Sequence, residues 1–237
     1  MALEHIAENL QTVRARLAAA AGRAGRDPGT ITLIAVSKTF RADHVRAAWA
    51  AGQRDFGENK VQEALQKIAE TTDIPVRWHL IGHLQSNKAR KAAAPFACIH
   101  TVDSVELLQR LDMAAGVTGA MPDILVQVDL AGEATKFGAP SETARQVVNA
   151  ALGCTAVRLR GLMLLPPWSD DPEVARPWFR RLRELQQAWI SDGVPHDALR
   201  DLSMGMSHDF EAAIEEGATM IRVGTAIFGK RPPPAPA

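Results

Sequence analysis

From Ile31 onward the chain alternates between short apolar runs and stretches with helical spacing, and this alternation restricts the available folds more than any single residue does. The runs are Ile31 to Lys38, Arg54 to Gly57, Arg77 to Ile81, Cys98 to Val102, Ile124 to Leu130, Leu159 to Leu165, Asp201 to Met204 and Met220 to Val223. Helical stretches separate them: Arg41 to Ala51, Val61 to Glu70, Ser86 to Ala94, Val105 to Ala115, Ser141 to about Leu152, Asp171 to Ile190 and Asp209 to Glu216. Strands joined through helices pair in parallel, and eight such units close into a (β/α)8 barrel of the TIM type. An open doubly wound sheet is the competing architecture. No Gly-x-Gly-x-x-Gly follows the first run, which weakens a dinucleotide-binding version of it. Ile6, Leu10, Val13 and Leu17 add a helical stripe ahead of the first strand, so an extra N-terminal helix is expected. The spacing of Trp178, Leu182, Leu185 and Trp189 marks those tryptophans as core packing rather than a stacking platform. No long linker divides the chain, so residues 1–230 are expected to form one domain, with a proline-rich disordered tail at 231–237.

The first strand ends in a lysine. Alternation puts Thr32, Ile34, Val36 and Lys38 on one face and Leu33, Ala35 and Ser37 on the other. Both faces are mostly apolar, as in a parallel sheet wrapped by helices. Such a strand delivers the Lys38 ammonium to its carboxyl end, where parallel α/β folds place ligands. The plain alternative is a lysine leaving the core for solvent.

Charge and composition exclude several function classes. The 27 basic residues balance 27 acidic ones, without the excess expected of a nucleic-acid binder. No apolar run approaches the ~18 residues of a membrane span, and the acidic N-terminal stretch is not a secretory signal, so a cytoplasmic protein is the default. Cys98 and Cys154 belong to no ligand motif and read as reduced core residues. His79 and His83 lie four apart but span a strand end and Gly82, and Cys98 and His100 share a strand face without further clustered ligands, so no metal site is expected.

Polar residues collect where the barrel places its carboxyl-end loops: Lys38, Asn59, His83 and Ser86, Lys136, Ser203 and Ser207, and Gly224 with Thr225. The last two clusters suit an anion site. Gly205 and Gly224 permit close backbone approach, hydroxyls flank them, and phosphate commonly sits after strands seven and eight of such barrels. Ser207 also reads as an ordinary N-cap, and Asn59 with Gln62 as a capping box. Arg222 alternates with Ile221 and Val223, so if those pack against helices its guanidinium faces the barrel mouth near Lys38. Two cations in one partly dry cavity disfavour the protonated amine, and a neutral amine attacks an aldehyde. A phosphate site beside such a lysine fits pyridoxal 5'-phosphate (PLP) or a phosphosugar held by an aldolase-type lysine. Spacing does not separate the two.

Six segments in order, Ala-Val-Ser-Lys-Thr at 35 to 39, Phe-Gly-Glu-Asn at 56 to 59, Trp-His-Leu-Ile-Gly-His-Leu-Gln-Ser-Asn-Lys at 78 to 88, Gly-Leu-Met at 161 to 163, Leu-Ser-Met-Gly-Met-Ser at 202 to 207 and Arg-Val-Gly-Thr-Ala-Ile-Phe-Gly at 222 to 229, resemble the pyridoxal phosphate homeostasis proteins. These are also called the proline synthase co-transcribed family. The resemblance implies a free-standing barrel like the N-terminal domain of alanine racemase. By the same likeness Lys38 holds PLP as a Schiff base, Ser203, Ser207, Gly224 and Thr225 bind its phosphate, Arg222 faces the pyridine nitrogen, and Asn59 and Met163 line the pocket. The chain departs from the pattern at His83, where many members carry proline, and at Asp129, where asparagine is frequent.

A non-catalytic protein that buffers or delivers PLP follows from the resemblance. PLP-dependent apoenzymes are its candidate recipients, a monomer its expected state, and neither nucleic acid nor membrane a main partner. An alanine-type racemase pairs its lysine with a tyrosine as second base, and this chain contains no tyrosine and is too short for the second domain that completes such a site. An arginine at the pyridine nitrogen also keeps that nitrogen unprotonated and the ring a poorer electron sink. A PLP enzyme acting on amino acids and a Schiff-base aldolase are the alternatives.

Overall fold

The computed structural model describes residues 3–132 and 137–230. Lys136 and the tail at 231–237, both singled out from the sequence, lie outside the described residues.

Eight parallel strands close on themselves. They are β1 (Thr32–Val36), β2 (Asp55–Glu58), β3 (Arg77–Leu80), β4 (Cys98–Val102), β5 (Asp123–Asp129), β7 (Arg158–Leu164), β8 (Asp201–Met206) and β9 (Met220–Val223). Each pairs with its neighbour in that order, and β9 returns to β1 with Ile34 opposite Arg222. A two-residue strand, β6 (Ala139–Pro140), adds to β5 and was not expected from the sequence.

The helices form the outer layer: α2 (Ala42–Ala50), α3 (Val61–Glu70), α4 (Ala89–Ala92), α5 (Val105–Thr118), α6 (Ser141–Ala151), α7 (Arg176–Ser191), α8 (Phe210–Glu215) and a last turn, α9 (Thr225–Phe228). The main core lies between this layer and the strands. There Phe56, Trp78, Leu80, Ile99 and Leu162 meet Leu107, Leu111, Val147, Phe179 and Phe210. Helix α1 (His5–Arg23) buries its predicted stripe of Ile6, Leu10, Val13 and Leu17 in the same cluster. Ion pairs Arg16 to Glu211 and Arg23 to Glu215 tie it to α8.

Several boundaries have local causes. Ser104 accepts the Leu107 amide proton and starts α5, which Gly119 stops with φ 69° in the left-handed region. Pro95 and Pro166-Pro167 follow the ends of α4 and β7, as the sequence suggested. The stretch from Ser86 to Ala94 breaks into a 3-10 turn, Ser86–Lys88, and the single helical turn of α4. Asp171 likewise caps a 3-10 turn, Pro172–Ala175, ahead of α7. Trp189 is buried and Trp178 partly buried against the core, which agrees with the packing role.

Inside the barrel the filling is small and partly polar. Cys98, Leu125 and Met163 form a separate apolar cluster. Beside it lie His79, His100, Ser203 and Arg222, none more than 3% exposed.

Candidate functional site

Strand β1 ends at Val36, two residues before Lys38, which sits in a turn closed by the Phe40 amide donating to the Ser37 carbonyl at 3.1 Å. Thr39 follows with φ 70°, the one non-glycine residue with positive φ among those described. For a β-branched residue that geometry costs on the order of 1–3 kcal/mol and persists only where the surroundings enforce it. A partly buried charge cluster does so. The Thr39 amide donates to Glu63 Oε1 at 2.6 Å, and Lys67 Nζ donates to the Ser37 carbonyl at 2.7 Å, to Glu58 Oε1 at 2.7 Å and to Glu63 Oε1 at 3.0 Å. Ser37 Oγ donates to Glu58 at 2.6 Å. Both neighbours of Lys38 are thereby tied to α3. Burial raises the Glu58 carboxyl above its ordinary range, with Lys67 and Ser37 opposing it. Burial also pushes on Glu63, but the Thr39 amide and Lys67 together hold it below its ordinary value.

Beside this turn, where β9 pairs with β1, Ser207 Oγ accepts the amide protons of Gly224 at 3.1 Å and Ala226 at 3.4 Å. These amides converge at the start of α9, on a hydroxyl whose own proton remains to be donated. A Cβ on Gly224 would stand 3.3 Å from the Val36 carbonyl oxygen, so glycine lets β9 pass close to β1 there. Gly205, at φ 90°, turns the chain so tightly that a Cβ would lie 2.6 Å from that of Ala213. Asp209 Oδ1 accepts the Met206 amide at 2.6 Å, and burial raises its carboxyl despite that bond and the Arg222 charge.

These elements enclose a cavity of about 790 Å³ lined by Lys38, Asn59, Arg222, Ser207, Gly224 and Thr225. Six of the eight positions expected from the sequence therefore line one cavity. Arg222 is held at its base, where burial lowers its guanidinium to about 10 with Asp209 opposing.

Two positions differ. Ser203 is fully buried and does not line the cavity: its hydroxyl is engaged by Arg222 Nη1 at 2.6 Å and His100 Nδ1 at 2.8 Å. Met163, paired with Ser203 in register, is likewise fully buried, packed with Cys98 and Leu125. Both were expected at the ligand. Alternation identified their inward face but not their depth, a layer beneath Arg222. The simple capping readings also fail. Helix α3 begins after Lys60 without a side-chain cap, and Ser207 accepts protons from the strand-nine loop instead of from α8. His83 stacks on Phe137 with ring centroids 3.7 Å apart and lies 3.6 Å from Asp103, away from the cavity lining.

The sequence missed one wall, Leu165 to Ser169 with Asp171, and the rim pair of Trp168 and His208, whose ring centroids are 5.2 Å apart. It also missed that His79, Cys98 and His100 bring one ligand atom each within 4.8 Å of one another. Both nitrogens of each imidazole are already matched: His79 to Asp55 and His100, His100 to His79 and Ser203. Hydrogen bonding thus accounts for that cluster without a metal.

The cavity suits a phosphorylated aldehyde on its own terms. Asn59 Oδ1 and His208 Nε2 are buried polar atoms on its lining with no partner among the described residues, a costly state that a polar ligand relieves. Amine, guanidinium and converging amides sit around one space, as a ring bearing an aldehyde and a phosphate requires.

Comparison with known proteins agrees with this chemistry. A family model described as alanine racemase, N-terminal domain, matches residues 2–232. The chain is 47% identical to the pyridoxal phosphate homeostasis protein of Pseudomonas aeruginosa over 98% of both chains. It is 40% identical to that of Escherichia coli K12 over 97% of this chain and 98% of the other. Among solved structures, PipY of Synechococcus elongatus with PLP bound is 42% identical, with a TM-score of 0.83 over 94% of this chain and all of PipY. Alanine racemase of Clostridium difficile shares the fold at a TM-score of 0.74 and 14% identity, over 98% of this chain and 58% of the enzyme.

Proposed function

The chain belongs to the alanine racemase N-terminal domain family, and within it to the pyridoxal phosphate homeostasis proteins; from that premise we propose that it binds PLP covalently through Lys38 and regulates the free supply of the cofactor. The observation that carries this is the meeting of Lys38, Arg222 and the Ser207, Gly224 and Ala226 group in one cavity. When bound, PLP supplies an aldehyde carbon open to an amine and a ring that withdraws electrons.

Each wall has its task. The Ser37 and Thr39 anchors present the Lys38 amine from a fixed turn. Ser207 and Thr225 would hold the phosphate, with the Gly224 and Ala226 amides that now converge on Ser207 Oγ behind them. Arg222 would serve the ring nitrogen as a donor that keeps its own proton. Asn59 would supply a polar partner for the ring substituents. A storage role rather than turnover is supported by the lack of tyrosine in the chain, which removes the second base of the alanine racemase mechanism. Pyridoxal-dependent apoenzymes are the recipients this reading proposes.

Purified protein is expected to be yellow, and borohydride reduction to fix one PLP mass on the peptide carrying Lys38. In Lys38→Ala that adduct disappears and affinity falls about 100-fold or more. Protein that takes up no PLP would overturn the reading. Sustained exchange at the α carbon of any amino acid in deuterated water, lost in Lys38→Ala, would replace storage by catalysis.

A further inference from the structure

Beneath the cavity a single file of hydrogen bonds crosses the barrel. Arg222 Nη1 donates to Ser203 Oγ at 2.6 Å while Nη2 donates to the Leu164 carbonyl at 2.9 Å. Ser203 Oγ meets His100 Nδ1 at 2.8 Å, His100 Nε2 meets His79 Nδ1 at 3.0 Å, and His79 Nε2 meets Asp55 Oδ1 at 2.9 Å. The five residues come from β9, β8, β4, β3 and β2. His79, His100 and Ser203 are fully buried, whereas the Asp55 side chain, first in its strand, is 15% exposed and lies 3.5 Å from Arg77 Nη1.

The carboxylate end sets the protons between them. A carboxylate only accepts, so with both rings neutral the His79 proton sits on Nε2 and serves Asp55. His79 Nδ1 is then an acceptor, and the His100 proton sits on Nε2, where it serves His79. His100 Nδ1 is left to accept the Ser203 hydroxyl proton, while Ser203 Oγ accepts from Arg222. All donors point the same way, from cation to anion through three neutral groups. Burial, reinforced by the Arg222 cation, lowers the His100 imidazole well below its ordinary value, which agrees with a neutral ring.

Barrel interiors of this type are usually filled by bulky branched apolar side chains. A buried polar string weakens the fold unless every member is satisfied, and here every member is. We infer that Asp55, His79, His100 and Ser203 are positioning residues, a hydrogen-bond chain of fixed polarity that holds Arg222 charged at the base of the cavity to meet the ring-nitrogen acceptor of a pyridoxal-type cofactor. The inference rests on the reading of the cavity given above. Two of the five guanidinium N–H groups are used by Ser203 and Leu164, which leaves donors for a ligand.

Two measurements test it. Long-range proton–nitrogen correlation on the nitrogen-15-labelled, PLP-free protein at neutral pH reads each ring directly. The chain requires protonated Nε2 and bare Nδ1 in both His79 and His100. A proton on either Nδ1, or a metal found bound in place of the shared proton, overturns it. The second measurement compares affinity for PLP with affinity for its 1-deaza analogue, in which a CH replaces the ring nitrogen. The wild type is expected to prefer PLP by about tenfold or more, the worth of a charge-assisted hydrogen bond. Ser203→Ala and Asp55→Leu are expected to reduce that preference at least about threefold, in the same direction as Arg222→Leu. A merely structural chain would weaken both ligands equally, and an unchanged preference in stable variants overturns the inference. Wild type that binds PLP without preference defeats the positioning role and leaves the cavity reading intact, whereas wild type that binds neither compound defeats both.

Discussion

Gly82 shows how closely single residues set this site. A Cβ there would lie 2.3 Å from the Asn59 carbonyl oxygen and 2.6 Å from the Asn59 Cα, both backbone atoms that cannot swing aside. Gly82→Ala is therefore expected to destabilise the protein by about 1–3 kcal/mol in urea titration and to loosen PLP binding, because it moves Asn59. Lys38, Ser207, Gly224 and Thr225 were legible in the sequence because each follows a strand end, and Arg222 because it alternates with two outward apolar residues of β9. Ser203 and Met163 were misplaced because alternation gives the side of a strand and not the layer. Ser203 is level with Met220, two residues before Arg222 on β9. Asp55, His79 and His100 went unread as a chain because their link is across strands, through a register no local pattern records.

At the scale of elements, the notable arrangement is helix α3 gripping the turn that carries Lys38. Removing the Lys67 ammonium leaves Glu58, with no exposed side-chain surface, buried as an uncompensated anion. Lys67→Met is expected to cost about 3–5 kcal/mol near neutral pH. The sign of its pH dependence follows from the raised Glu58 carboxyl. A group whose pKa is higher folded than unfolded favours the fold below the unfolded value and loses that contribution as pH rises through the folded one. The variant is thus expected to regain part of its deficit as pH falls from about 7 toward about 5, in denaturant titrations at each pH. It is also expected to bind PLP more weakly, since Ser37 and Thr39 lose their anchor. Helix α3 itself was read with its observed bounds, Val61 to Glu70. Its grip on β1 was not, because Lys67 looks like any helix-face lysine until Glu58 is known to point outward from the barrel. The strand β6 and the turn α9 were too short to carry a period.

The closed barrel as a whole was the most legible feature, since eight alternations of two unlike periods leave few ways to bury both faces of the strands. The helix α1 stripe was equally plain. Less plain was the interior, where a sequence with two inward histidines on adjacent strands reads as a metal signal or as nothing. The whole-chain composition has one further effect at the cavity rim. With no tyrosine, near-ultraviolet excitation falls almost wholly on five tryptophans. Trp78 and Trp189 are buried, Trp49 and Trp178 sit under Arg54 and Arg181, and Trp168 alone is largely exposed, at 68%, on the cavity wall. Its indole is the emitter placed to pass excitation to a yellow chromophore in the cavity. Loading with PLP is expected to dim the long-wavelength part of the intrinsic fluorescence, and Trp168→Phe to remove most of that quenching while the visible band still forms. The chain would then report its own occupancy as light, without a dye.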